Sequence, residues 1–221
     1  MLTLSIDTST NILSIALVKD HEVLMSINEA TLNNQSEILM SRIQETLSQC
    51  QVKPSDLDLI GVAIGPGSYT GIRVGVAAAK SLGYALDVPV VGVSSLEAMV
   101  YASGRKGVVV PMMDARRGTV FASVVDQGRV VVPEGHYELE DLLSRLPVGQ
   151  PISFVGDGGV AHKERILSVF YACEVMSEVD FKRGKAEVVA ELACKGSPIK
   201  NIHALVPNYL RKTEAEVNAG V

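Results

Sequence analysis

Residues 2–28, LTLSIDTSTNILSIALVKDHEVLMSIN, decide how this chain folds. Apolar residues dominate 2–6 up to Asp7 and return over 12–18, with the polar run Thr8-Ser9-Thr10-Asn11 between them. Lys19-Asp20-His21-Glu22 then turns the chain into a third run at 23–28. Short apolar runs separated by turn-forming residues read as consecutive strands, here a three-stranded meander. The same arrangement recurs at 108–132, and setting Asp7 on Asp114 aligns the two copies without a gap. Ile6-Asp7 then meets Met113-Asp114, Leu17-Val18 meets Val124-Val125, and Val23-Leu24 meets Val130-Val131.

Each meander is followed by the pattern of a helix, a strand and a second helix. In the first copy the helix spans 33–50, with Ile38, Leu39, Ile43, Leu47 and Cys50 on one face. A strand at 59–64, a helix from about Gly71, a strand at 90–93 and a helix to Ala102 complete that copy. The second copy is abbreviated, with a helix at 138–146, a strand at 152–155, and Gly156-Asp157-Gly158-Gly159 leading into a helix. Two β-β-β-α-β-α halves, the second degenerate, resemble the duplicated α/β fold of the actin/sugar-kinase/Hsp70 (ASKHA) superfamily. The expected boundary separates an N-terminal half at 1–106 from a C-terminal half with its tail at 107–221.

The stretch 64–83, IGPGSYTGIRVGVAAAKSLG, joins a buried strand to a helix through Gly65-Pro66-Gly67. Ser68 and Thr70 are placed to accept free N–H groups at the helix start. Gly71, Gly75, Ala79 and Gly83 then recur every four residues and form a stripe of nearly bare backbone. Each interior glycine costs a helix about 1 kcal/mol relative to alanine. The stripe therefore asks for close approach by another backbone, within this chain or from a partner. Beside it lie Ile72 and Val76, with Arg73 and Lys80 toward solvent. The glycines match neither a Walker loop nor a dinucleotide fingerprint, because no Gly-Lys-Ser/Thr follows and Thr70 stands at the third glycine position. Gly67-Ser68-Tyr69-Thr70-Gly71 is not a nucleophile elbow either.

The chain has 221 residues, 47% of them hydrophobic and 20% charged, enough to bury a sizeable core. With aromatics at 5% and no tryptophan, that core is aliphatic. A net charge of −5 argues against a dedicated nucleic-acid surface. Cys50, Cys173 and Cys194 have no metal or redox spacing. The opening residues lack a basic n-region and an extended apolar core, and no uncharged apolar run approaches membrane-spanning length. The expectation is a cytoplasmic protein without a membrane association.

Residues suited to chemistry are few. Asp7, at the end of the first strand, could hold a metal-bound water, and Gly156 and Gly158 could face a ribose or phosphate. Turn capping and a plain strand-to-helix turn are the competing readings. Arg116 and Arg117 could meet an anion or stay solvated. His21, His136, His162 and His203 are scattered without the one-turn helical spacing of a metal pair. Glu138, Glu140 and Asp141 suit a solvated helix start. No catalytic residue, metal site or cofactor is expected.

The motifs IDTST near the start, GPGSYTGIRVG at 65–75, MDARRG at 113–118, GDGG at 156–159 and the tail PNYLRKTEAE at 207–216 together resemble the TsaB (YeaZ) family. That resemblance implies a scaffold in the formation of threonylcarbamoyladenosine on tRNA. The catalytic chain would be the paralogue TsaD, an ASKHA relative with a metal-binding histidine pair. At the corresponding helix start this chain reads Leu32-Asn33-Asn34-Gln35-Ser36-Glu37, without histidine. The family further implies pairing with TsaD, self-pairing when alone, recruitment of the ATPase TsaE, and contact with tRNA through the complex. Mapped onto this sequence, the partner face is Ile38, Leu39, Met40, Ile43 and Leu47 with Gly71, Ile72, Arg73, Gly75, Val76, Ala79 and Gly83. The alternative is a small ASKHA-type kinase or ATPase using Asp7 and the 156–159 turn. An older glycoprotease association of the family finds no nucleophile-base pair here.

Overall fold

The computed structural model describes residues 1–31 and 34–211. Strands β1 (Leu2–Asp7), β2 (Ile12–Lys19) and β3 (Glu22–Ala30) form the expected antiparallel meander. β4 (Leu59–Gly65) and β5 (Val90–Ser94) extend it in parallel, giving the order β3-β2-β1-β4-β5. The second sheet comprises β6 (Val108–Asp114), β7 (Thr119–Asp126), β8 (Arg129–Glu138), β9 (Ile152–Val155) and β10 (Cys173–Met176). Its order, β10-β9-β6-β7-β8, is that of the first sheet read from the other edge. The duplicated α/β architecture is therefore present in both halves. β10 is an addition to the expected elements.

The helices are α1 (Gln35–Gln49), α2 (Tyr69–Leu86), α3 (Ser95–Ser103), α4 (Leu139–Ser144), α5 (Asp157–Ala161), α6 (Lys163–Val169) and α7 (Lys185–Lys195). The chain divides into one unit of Met1–Ala102 with Lys182–Pro207 and another built on Ser103–Phe181, which the chain rejoins at Asn208. α7, which the sequence order groups with the second half, thus packs on the first sheet.

In the first unit, period-two alternation sends the two faces of the sheet to different helices. Leu2, Leu4 and Ile6 of β1 and Leu13, Ile15 and Leu17 of β2 share a core with Leu39, Ile43 and Leu47 of α1 and Val76 and Ala79 of α2. Each fully buried side chain of this size contributes about 1.5–3 kcal/mol, so this layer dominates the unit's stability. The opposite face is small and polar, and α7 lies close against it. Ala16 and Val18 meet Ala186 and Ala190. Ser5 Oγ donates to the Ala186 carbonyl at 2.6 Å, and Thr3 Oγ1 lies 3.6 Å from Cys194 Sγ. A Cβ on Gly61 would stand 3.0 Å from that of Ala193, so the glycine sets how near α7 can come.

In the second unit, Val108, Val110 and Met112 of β6 pack with Phe154, Ile166 and the α4 leucines Leu139, Leu142 and Leu143. α4 starts one residue later than the expected 138–146 because β8 runs on through Glu138, and it ends at Ser144 with Arg145 as its cap.

Candidate functional site

The polar turn after β1 is the most heavily tied part of the first unit. Asp7 and Thr8 are fully buried, and Asp7 Oδ1 accepts hydrogen bonds from the Ser9 amide at 2.8 Å and the Ser9 hydroxyl at 2.6 Å. Thr8 Oγ1 donates to the Gly71 carbonyl at 2.7 Å, and the Ser68 amide donates to the Ser9 carbonyl at 2.7 Å. Gln35, at the start of α1, donates from Nε2 to the Thr10 carbonyl at 2.7 Å. The starts of both outer helices are thereby fastened to one turn.

The third attachment comes from α7. Lys185, buried to 3% exposure, puts Nζ 3.6 Å from Asp7 Oδ1, 2.8 Å from Thr10 Oγ1 and 3.4 Å from Ser9 Oγ. Asp7 Oδ2 is also buried and has no hydrogen-bond partner among the described residues. An unpaired carboxylate in such a place costs several kcal/mol, and the ammonium beside it offsets that cost. Lys185 is the functional-looking residue that sequence inspection misses. Its available signal is a lysine in the first turn of a helix, where the macrodipole disfavours a cation.

The glycine stripe of α2 faces the same turn. A Cβ on Gly71 would collide with the Thr8 carbonyl oxygen, and one on Gly75 with the Thr8 hydroxyl. A Cβ on Gly83 would strike Val90 Cγ2 and stand 2.8 Å from Ile202 Cδ1. The bare backbone therefore serves packing within the unit, which corrects the assignment of Gly71, Gly75, Ala79 and Gly83 to a partner face. Ile72, Val76, Leu39, Ile43 and Leu47 are likewise core residues, because the helices spend their apolar faces on their own sheet. Of the mapped positions, Met40 (49% exposed) and Arg73 lie open, and Ile38 is half-buried. Tyr69 and Tyr84 of α2 are also exposed, and the Arg73 guanidinium stacks 5.2 Å from the Tyr69 ring centre.

The equivalent turn of the second unit is built differently. Gly156 has φ 107° and its amide donates to Met176 O at 2.9 Å. A Cβ on Gly158 would stand 2.8 Å from the Met113 carbonyl carbon, so this glycine lets α5 lie against β6. Asp114 is exposed; its Oδ1 accepts from the Arg116 amide at 2.9 Å and lies 3.8 Å from His162 Nε2. Asp157 Oδ1 accepts from the Asp114 amide at 3.3 Å. Both carboxylates thus cap backbone. Among the described residues no group of three or more His, Cys, Asp or Glu side chains is placed to hold a metal ion. No helix of the described residues is long and apolar enough to cross a membrane. Of the PNYLRKTEAE tail, residues 212–216 lie outside the described residues, as do Leu32 and Asn33.

Comparison with known proteins adds a family to this geometry. The family model described as TsaD, tRNA N6-adenosine threonylcarbamoyltransferase, matches residues 27–219. The tRNA threonylcarbamoyladenosine biosynthesis protein TsaB of Bacillus subtilis is 36% identical over 98% of this chain and 96% of its own length. The Escherichia coli protein of the same name is 32% identical over 53% of this chain and 52% of its own. Among solved structures, YeaZ from Pseudomonas aeruginosa superposes with a TM-score of 0.76 at 25% identity, covering 95% of this chain and 99% of that one. The ethanolamine utilization protein EutJ from Carboxydothermus hydrogenoformans shares the fold alone, with a TM-score of 0.54 at 11% identity over 87% of this chain and 90% of its own. The two mixed sheets are thus those of an ASKHA-like fold, and the chain belongs to the TsaB (YeaZ) family of tRNA threonylcarbamoyladenosine biosynthesis proteins.

Proposed function

We propose that this chain is a non-catalytic scaffold that pairs with a TsaD-type catalytic chain and helps recruit the ATPase TsaE in the cytoplasm. The observation that carries this reading is Lys185 inside the Asp7 turn. In a phosphoryl-transferring ASKHA protein the turn after the first strand has to admit phosphate to its backbone amides. Here α1, α2 and α7 all bind that turn, and its carboxylate already has a cation of the chain's own. The same observation disfavours the kinase or ATPase alternative.

Support for pairing comes from the match to the TsaD family model over 27–219, since related chains can associate through equivalent faces in a pseudo-symmetric dimer. The outer faces of α1 and α2, with Met40, Tyr69, Arg73 and Tyr84 exposed, are the surface for it. Aromatic residues, Met and Arg are enriched at interfaces. With no catalytic chain present, the same face joins two copies of this one.

The deciding experiment co-expresses the full chain with TsaD and TsaE and follows co-purification with and without ATP. Stable pairing with TsaD, and formation of the modified nucleoside only when this chain is present, is the expected result. A TsaD that works alone at full rate, or ATP turnover by this chain that vanishes in Asp7→Ala, sinks the scaffold reading.

A further inference from the structure

The hairpin at 115–118 in the second unit places Arg116 and Arg117 at its tip, where the backbone argues against them. Arg116 has φ 67°, Arg117 52° and Gly118 77°. The Thr119 amide donates to Arg116 O at 3.0 Å, closing a turn whose central pair, Arg117-Gly118, has positive φ at both positions. Asn-Gly is the favoured pair for that geometry. A residue with a Cβ and no local hydrogen-bonding side chain costs about 1 kcal/mol or more in the left-handed region. Two successive arginines accept that cost, and strain of this kind gathers where side chains have work to do.

Among the described residues, no carboxylate pairs with the charges at this tip. Arg42, Arg105, Arg145, Arg165 and Arg183 each form an ion pair with a carboxylate. Arg116 and Arg117 form none among the described residues, and neither does Arg211, whose Nη1 lies 3.5 Å from the Ala115 carbonyl. All three are exposed. Asp114 and Asp157, at the base of the hairpin, are committed to backbone amides. Burial first, and then the Arg211 guanidinium, lower the pKa of the nearby His136, against an opposing effect of the Glu138 carboxylate.

We infer that Arg116, Arg117 and Arg211 form a contact for the phosphate backbone of RNA. Guanidinium groups bind phosphate through two parallel N–H bonds, which exposed arginines can offer. The net charge of −5 makes the cluster a local feature, suited to a few phosphates rather than a long groove. RNA is the anion that a tRNA-modification family brings to it. The inference rests on family membership and does not require the pairing proposed above.

The test titrates the full chain into fluorescently labelled tRNA, read by anisotropy at about 50 and 200 mM salt. Arg116→Gly/Arg117→Asn removes both charges and suits the turn, so its thermal midpoint should hold or rise. Its tRNA affinity should fall about tenfold at low salt, and the slope of log K against log salt should shrink by about 1.4, two contacts' worth. A charge-matched control, Lys106→Gln/Arg129→Gln, alters the other end of the same sheet and should leave affinity within about twofold. Unchanged affinity in the hairpin variant overturns the inference, as does an equal loss in the control or no measurable tRNA binding by the wild-type chain. Competition by polyglutamate as effective as that by polyuridylate also overturns it and moves the site to an acidic protein. TsaD pairing of the wild-type chain, measured in parallel by gel filtration, reports on the scaffold reading separately.

Discussion

Lys185 Nζ stands 3.6 Å from Asp7 Oδ1, with the two side chains 3% and 0% exposed. This pair ties the first turn of α7 to the end of β1, residues almost the whole chain apart in sequence. Removing one member of a buried pair strands the other, which typically costs about 3–5 kcal/mol. Lys185→Met should therefore lower unfolding free energy by about that much in urea titrations. Asp7→Asn combined with Lys185→Met should cost at least about 1 kcal/mol less than the sum of the single changes. Strict additivity would show that the two groups do not interact.

Gly75 faces the Thr8 hydroxyl so closely that a Cβ has no room. On helix propensity alone, Gly75→Ala would gain about 1 kcal/mol. Overpacking opposes it, at about 1–3 kcal/mol where neighbours must shift, and Thr8 is held by its bond to Gly71 O. Net destabilisation is expected in thermal unfolding, with partial recovery when Thr8→Ala is added. A stabilised Gly75→Ala would mean that α2 stands off the turn.

These two sites show what sequence can and cannot carry. The meanders were legible because apolar runs broken by polar turns mark strands; Leu13, Ile15 and Leu17 against Ser14 and Ala16, all five of them buried, tell only which face takes the large side chains. The glycine stripe reported close approach correctly, but bare backbone does not say what approaches; the answer was Thr8 and Val90 of the same unit. β10 escaped because Cys173–Met176 is too short to display a period, and its Glu174 is exposed. α7 has no counterpart among the expected elements, and its apolar face of Ala186, Val189, Ala190 and Ala193 would suit either sheet. Only the small side chains opposite it, with Gly61, choose the first.

Glu191 on α7 gives a pH-dependent test. Hydrogen bonds from Lys195 and then Arg183 lower its pKa to about 2, from 4.5. A folded pKa below the unfolded value gives stability that is present above about pH 4.5 and lost as pH falls toward 2. The carboxylate is 34% exposed, so solvent screening reduces the contribution to about 1 kcal/mol. Glu191→Gln should cost about that much at pH 7 and nothing near pH 2, as read by denaturant midpoints across the range. An equal cost at both ends would assign the effect to packing.

Met40 is the position on α1 where pairing and folding can be separated. Ile43, Thr46 and Leu47 are buried in their own unit, so the apolar face of α1 has no surplus beyond Met40 and half-buried Ile38. A charge at Ile43 would unfold the core and report nothing about partners. Met40→Asp instead places a carboxylate at a side chain that is 49% exposed, where the isolated unit can hydrate it. At an interface the same carboxylate would be desolvated, after loss of about 1.5–3 kcal/mol of apolar burial. The variant is expected to keep its circular-dichroism spectrum and unfolding midpoint while both self-association and TsaD binding weaken at least about tenfold. Arg73→Glu, on the neighbouring helix and equally open, should act in the same direction. A Met40→Asp chain that remains dimeric by light scattering and still supports TsaD would place the docking face away from α1.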